Sequence, residues 1–127
     1  MDFAKPKTIF IVDDDTMLTD ALEDFLTRKV AHQITCFETG EACLEHLTEA
    51  PDVIILDYYL NTVQKDAANG MEILQAIKKH DSRIPIVMLS SQEKYVIALQ
   101  TIQKGAEQYV IKDENAFEKI AQMIDAL

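Results

Sequence analysis

The chain has 127 residues, a mass of 14.4 kDa and a formal net charge of −10 at pH 7. A chain of this length buries roughly two-thirds of its unfolded surface, so we expect a single domain over residues 1–127. The acidic charge opposes direct binding to nucleic acid or to an anionic membrane surface. The sequence shows no signal peptide and no apolar stretch of about 18 residues, so we expect a soluble cytoplasmic protein.

Five short apolar runs predict strands at residues 8–12, 34–37, 53–56, 86–89 and 109–111. They lack polar alternation, which is typical of a parallel sheet covered on both faces. Helical patterns follow these runs, and their apolar positions are Met17, Leu18, Ala21, Leu22, Phe25 and Leu26; Cys43, Leu44 and Leu47; Ile73, Leu74 and Ile77; Val96, Leu99 and Ile102; and Phe117, Ile120, Ala121 and Ile124. The alternation predicts a doubly wound α/β fold with helices on both faces of the sheet.

The cysteines and histidines show no spacing that is typical of metal ligands. Cys36 and Cys43 lie in apolar surroundings without a CxxC spacing, so we expect buried free thiols rather than a disulfide or a metal pair. No second type of ligand clusters beside His32, His46 or His80. We therefore expect all three histidines to lie at the surface.

Residues that could take part in chemistry follow four of the five predicted strands, and Glu38 after the second strand offers nothing comparable. Three aspartates follow the first strand, one the third, two serines the fourth and a lysine the fifth: Asp13, Asp14, Asp15, Asp57, Ser90, Ser91 and Lys112. Ligand sites in open α/β sheets form at the carboxyl ends of the strands. We therefore expect these side chains to surround one site.

Asp13, Asp14 and Asp57 form a costly arrangement unless a cation joins them. Two unit charges about 4 Å apart repel by roughly 1 kcal/mol in water and about 4 kcal/mol near a protein surface. Mg²⁺ prefers carboxylate and carbonyl oxygens and commonly bridges to a phosphoryl oxygen. With the hydroxyl of Ser90 and the ammonium of Lys112, the set meets the electrostatic needs of phosphoryl transfer.

These segments resemble the receiver domains of two-component response regulators over nearly the whole chain. The resemblance lies in residues 9–15 (IFIVDDD), 53–57 (VIILD), 87–91 (VMLSS) and 105–112 (GAEQYVIK). It implies a flavodoxin-like fold in which five helices flank a five-stranded parallel sheet in the order 2-1-3-4-5. It also implies a phosphorylation switch that performs the transfer itself but is not counted as an enzyme.

The resemblance implies a phosphoacceptor and a metal site. Asp57 would accept the phosphoryl group from a phosphohistidine on a sensor histidine kinase or a phosphotransfer protein. Mg²⁺ would be bound directly by Asp14, mainly through water by Asp13, and also by Asp57 and the backbone carbonyl of Tyr59.

The resemblance also implies how the phosphoryl group is held and how its presence reaches the surface. Ser90 would bond the phosphoryl group, and Lys112 would pair with it. Ser90 and Tyr109 would form a conformational switch that alters the surface of the fourth helix, fifth strand and fifth helix. That surface is a candidate for phosphorylation-dependent dimerisation or for binding an effector domain or target protein.

Two features depart from the family pattern. Receivers usually have proline four residues and glycine eight residues after the acceptor, whereas Asn61 holds the first place here and Gly70 lies thirteen residues on. The loop therefore carries about five extra residues. Lys112 is followed by Asp113 instead of proline, and a non-proline cis bond costs about 2.5–4 kcal/mol, so we expect a trans bond.

Two alternatives remain beside the phosphorylated receiver. Asp13, Asp15 and Thr16 also look like the first motif of haloacid-dehalogenase-type phosphatases, but the chain is short for that fold and Asp57 would have no role. A pseudo-receiver that acts only as a binding module would be expected to lack Asp57 or Lys112, and both are present. For Asp15, we expect a role as the cap of the first helix rather than as part of a phosphatase motif.

Overall fold

The computed structural model describes residues 5–91 and 93–127. Its elements are, in chain order, β1 (Thr8–Val12), α1 (Thr16–Leu26), β2 (Gln33–Phe37), α2 (Gly40–Leu44), a 3-10 helix (Leu47–Glu49), β3 (Val53–Asp57), α3 (Gly70–His80), β4 (Ile86–Ser90), α4 (Tyr95–Gln103), β5 (Gln108–Ile111) and α5 (Ala116–Asp125). Among the described residues, every helix is too short or too polar to span a bilayer. The start of the chain, where no signal peptide was expected, falls partly outside the described residues.

The strands form one parallel sheet in the order β2-β1-β3-β4-β5, as predicted. Every residue of β3 and β4 is buried, because helices cover both faces of these inner strands. β2 lies at an edge, and most of its side chains are exposed or half-buried. The expectation of burial on both faces therefore holds for the inner strands and not for the edge strands β2 and β5.

Successive strand residues contribute to two apolar layers, one on each face of the sheet. Ile54 and Leu56 of β3 pack with α2 and α3, whereas Ile55 packs with α1 and α5. Gly40 lets α2 approach α3 closely, because a Cβ atom at this position would lie 2.1 Å from Cγ1 of Ile73. Both layers include residues near the carboxyl ends of the strands, such as Leu56 in one and Leu89 in the other.

Helix α4 forms where the sequence predicts it, but its apolar positions remain outside the core. Val96, Leu99 and Ile102 are 55%, 41% and 42% exposed, and Tyr95 is 79% exposed. Thr101 is the buried residue of this helix. The helix therefore presents an apolar surface beside β5.

One of the two cysteine expectations is wrong. Cys43 is a buried free thiol, as expected, but Cys36 is an exposed free thiol because it lies on the edge strand β2. Burial raises the pKa of Cys43 to about 12. For Cys36, partial burial and then the hydrogen bond to Glu23 raise the pKa to about 11. Both thiols are therefore protonated at neutral pH.

One of the three histidine expectations is also wrong. His32 is 9% exposed, and its Nδ1 accepts a hydrogen bond from the backbone amide of Lys7 at 3.0 Å. Burial lowers the pKa of His32, so the neutral ring is favoured at this place. His46 and His80 are exposed, as expected.

Candidate functional site

The carboxyl ends of β1 and β3 bring three aspartates together. Asp13, Asp14 and Asp57 each offer one carboxylate oxygen, and these oxygens lie within 4.8 Å of one another. Val12 pairs with Leu56 in the parallel register, so the residues that follow them, Asp13 and Asp57, lie side by side. Asp13 and Asp57 are 1% and 2% exposed, whereas Asp14 is half-buried. The strand ends therefore create the acidic cluster that the sequence predicts.

Lys112 faces this acidic cluster from the end of β5. Its Nζ lies 3.0 Å from Oδ2 of Asp13 and 3.2 Å from Oδ1 of Asp57. The backbone amide of Lys112 donates to the carbonyl of Ser90 at 2.8 Å, which fixes the end of β5 beside β4. Oδ2 of Asp13 has this ion pair but accepts no hydrogen bond of good geometry. One ammonium against three carboxylates leaves a negative charge at this edge of the sheet.

The buried carboxyl of Asp57 has a pKa raised from 3.8 to about 7. Burial is the largest cause and the charge of Asp13 adds to it, while Lys112 and the amide of Tyr59 act in the opposite direction. Burial alone would lower the pKa of Lys112, but the carboxylates of Asp57 and Asp13 outweigh burial and raise it. Lys112 is therefore a cation at neutral pH, and Asp57 is a weaker acid than an ordinary aspartate.

Backbone amides orient two of the three acids. The amide of Asp15 donates to Oδ1 of Asp13 at 2.9 Å, and the amide of Tyr59 donates to Oδ1 of Asp57 at 3.3 Å. Asp15 itself caps α1, because its side chain accepts from the amide of Leu18 at 3.2 Å. The expected capping role of Asp15 is confirmed.

Ser90 and Tyr109 lie on the side of the site away from β1. Ser90 ends β4 and is fully buried, one residue beyond Leu89, which pairs with Asp57. Tyr109 is half-buried on β5, and its side chain shares a hydrogen bond with Ser90. Burial raises the pKa of Tyr109, so its hydroxyl is protonated at neutral pH. The two residues predicted as a switch are thus in contact.

Gly70 begins α3 directly after the loop between β3 and α3, residues 58–69, which we call the β3–α3 loop. Its amide donates to the carbonyl of Tyr58 at 2.9 Å. A Cβ atom on Gly70 would lie 2.3 Å from the carbonyl oxygen of Asp57. Because α3 begins directly against the backbone of the predicted acceptor, glycine is required here whatever the length of the loop.

The β3–α3 loop contacts the acidic cluster in a way that the sequence did not predict. The hydroxyl of Thr62 and the backbone amide of Val63 both donate to Oδ2 of Asp14, the latter at 3.2 Å. Further along, the amide of Ala68 donates to Oε2 of Glu41 at 2.9 Å. Thr62 and Val63 lie 48 and 49 residues after Asp14 in the chain, so no local sequence pattern encodes their contact with it.

Comparison with known proteins identifies the family. The model of the response regulator receiver domain matches residues 9–125. The chain belongs to the response regulator receiver domain family. The receiver domain is 33% identical over 108 residues to AfsQ1, a transcriptional regulatory protein of Streptomyces coelicolor. That match covers 84% of this chain and 44% of AfsQ1, so the chain spans less than half the length of this relative.

Solved structures agree with the receiver domain assignment. The BeF3-activated receiver domain of DrrB from Thermotoga maritima has a TM-score of 0.82 at 26% identity, over 95% of this chain and 96% of that chain. The receiver domain of NtrX from Brucella abortus has a TM-score of 0.79 at 24% identity, over 93% and 98% of the two chains, and shows the fold alone. The predicted family and sheet order are confirmed, and the haloacid-dehalogenase-like alternative is not favoured.

Proposed function

We propose that Asp57 accepts a phosphoryl group from a phosphohistidine of a sensor histidine kinase or a phosphotransfer protein. The observation that carries the proposal is the buried Asp57 carboxylate beside Lys112, Asp13 and Asp14 at the carboxyl edge of the sheet. A carboxylate oxygen of Asp57 attacks phosphorus, the P–N bond of the phosphohistidine breaks, and the imidazole leaves with the electron pair. The product is an acyl phosphate on Asp57, and the domain is a phosphoacceptor rather than a classified enzyme.

The oxygen ligands at this edge fit a magnesium ion. Asp13, Asp14 and Asp57 place carboxylate oxygens within 4.8 Å of one another, and Oδ2 of Asp13 is buried without a hydrogen bond of good geometry. We assign direct ligation to Asp14, Asp57 and the backbone carbonyl of Tyr59, and ligation mainly through water to Asp13. When bound, the ion neutralises charge on the phosphoryl oxygens.

Lys112 and Ser90 supply the remaining groups around the phosphoryl group. Nζ of Lys112 already lies 3.2 Å from Oδ1 of Asp57, so it can pair with a phosphoryl group attached to that carboxylate. Ser90 ends the neighbouring strand and offers a buried hydroxyl as a donor. The relative DrrB has a BeF3-activated form, and beryllofluoride stands in for the phosphoryl group of an acyl phosphate.

Incubation with acetyl phosphate and Mg²⁺ should add one phosphoryl group at Asp57, which peptide mass mapping can locate. Asp57→Asn should abolish the modification, because the amide is a poor nucleophile. Asp20→Asn, an exposed change on α1, should leave it intact. Modification that persists in Asp57→Asn, or that forms equally well in excess chelator, would contradict the assignment.

Ser90 and Tyr109 couple the phosphoryl group to an output surface. Their side chains share a hydrogen bond in this structure, so a phosphoryl group that takes the Ser90 hydroxyl as a donor competes with Tyr109 for it. Tyr109 can then turn toward the space that Ser90 leaves. β5 contacts both α4 and α5, so this movement changes the surface formed by α4, β5 and α5.

Beryllofluoride with Mg²⁺ should shift the ring resonances of Tyr109 and the amides of α4 and β5 in NMR spectra. Ser90→Ala should remove most of the shift at Tyr109, because the variant cannot transmit the movement of the hydroxyl. An unchanged Tyr109 environment in the beryllofluoride form of the unmodified protein would leave this switch without support.

The surface of α4, β5 and α5 is the proposed contact for an effector domain, a target protein or a second phosphorylated copy. Tyr95, Val96, Leu99 and Ile102 give α4 exposed apolar groups that a partner could cover. The net charge of −10 opposes DNA binding by this domain itself. We assign residues 1–127 to one cytoplasmic receiver domain without membrane contact.

A further inference from the structure

We infer that Thr62 and the backbone amide of Val63 are positioning groups for Asp14, so that the β3–α3 loop and the cation stabilise each other at the site. The inference rests on the magnesium site proposed above. It concerns residues in the inserted part of the loop, where this chain departs from the spacing usual in receivers.

Asp14 differs from the other two acids in what holds it. Asp13 and Asp57 are buried, and each contacts Lys112 and accepts a hydrogen bond from a backbone amide. Asp14 is half-buried, and its Oδ2 accepts from the Thr62 hydroxyl and the Val63 amide. Both donors use Oδ2, so Oδ1 of Asp14 accepts neither of these two hydrogen bonds and can serve as the ligand of a cation.

The loop is anchored between Thr62 and α3 by two backbone amides and a helix cap. The amide of Ala68 donates to Glu41 on α2, and the amide of Ala67 donates to the carbonyl of Gln64 in a turn. The Asn69 side chain caps α3 in a capping box. Threonine is stiff at χ1, which lowers the entropy lost when its hydroxyl is held in one direction.

Hydrogen bonds to a ligating carboxylate normally strengthen metal binding. They hold the ligand in the bound orientation before the metal arrives, and their loss typically weakens metal affinity by about 10–100-fold. Thermodynamic linkage makes the effect mutual. If the contact between the loop and Asp14 raises the affinity for Mg²⁺ by a given factor, bound Mg²⁺ stabilises that contact by the same factor. Mg²⁺ should therefore strengthen the contact between the loop and Asp14.

Isothermal titration of the whole chain with MgCl₂ tests the inference through three variants. Thr62→Val keeps the shape but removes the hydroxyl, and its Kd for Mg²⁺ should rise by about tenfold or more, whereas Thr62→Ser should stay within about twofold of the unmodified protein. Thr48→Val makes the same change at an exposed position before β3 and should leave the Kd unchanged. If Thr62→Ser keeps the Kd for Mg²⁺ and Thr62→Val does not, the hydroxyl rather than the shape of the side chain is responsible.

Hydrogen exchange of the Val63 amide, followed by NMR, supplies a second measurement that does not depend on phosphorylation. Mg²⁺ should slow this exchange in the unmodified protein and should slow it much less in Thr62→Val. A folded Thr62→Val that binds Mg²⁺ as tightly as the unmodified protein, or more tightly, would overturn the inference. Failure of the unmodified protein to bind Mg²⁺ would instead overturn the proposed metal site.

Discussion

Asp57→Asn is expected to raise the free energy of unfolding of the metal-free protein by about 2–4 kcal/mol at pH 8 and by less than half as much at pH 5. The native carboxyl is 2% exposed, and burial first and the charge of Asp13 second raise its pKa from 3.8 to about 7. Between these two values the native state binds more protons than the unfolded state. The free energy of unfolding therefore falls as pH rises through this range, and asparagine removes that loss.

Urea unfolding in the presence of chelator, at both pH values, measures this effect. Asp20→Asn removes an exposed carboxylate from α1 and should change the free energy of unfolding by no more than about 0.5 kcal/mol at either pH. Mg²⁺ should stabilise the unmodified protein more than Asp57→Asn, because the variant lacks one proposed ligand. A change that is destabilising, or independent of pH, would contradict the raised pKa of Asp57.

Lys112→Met is expected to lower the free energy of unfolding of the metal-free protein by about 3–5 kcal/mol at pH 8. Nζ of Lys112 lies 3.0 Å from Asp13 and 3.2 Å from Asp57, so its removal leaves two buried carboxylates without their cation. Methionine keeps much of the apolar stem, which limits the loss of packing. The loss should shrink below pH 7, because Asp57 then takes up a proton.

A double-mutant cycle with Asp57→Asn isolates the interaction between these two residues. In the Asp57→Asn background, Lys112→Met should lower the free energy of unfolding by less, because one buried carboxylate, that of Asp13, then loses its cation instead of two. Lys119→Met is the matched control: its ammonium lies 3.9 Å from Asp113 at the exposed surface, where an ion pair contributes about 0–1 kcal/mol. If Lys112→Met lowers the free energy of unfolding equally in both backgrounds, Lys112 and Asp57 are not coupled.

The sequence by itself determined the order of the elements and the positions of most predicted site residues. Buried parallel strands produce continuous apolar runs, and their carboxyl ends meet at one edge of the sheet. A residue directly after such a run is therefore placed by local pattern alone, as Asp13, Asp57 and Lys112 show. The capping role of Asp15 is equally local, because the cap and its helix are adjacent in the chain.

Burial and contacts between distant segments were decided by the tertiary structure alone. Cys36 lies in an apolar run, but its exposure depends on β2 being an edge strand. The sequence pattern gives no difference in burial between the three acids, yet the raised pKa of Asp57 comes first from the layers that bury it. The donation from Thr62 to Asp14 joins residues 48 positions apart. Apolar periodicity reports local geometry, whereas edges, burial and loop contacts exist only once distant segments have packed together.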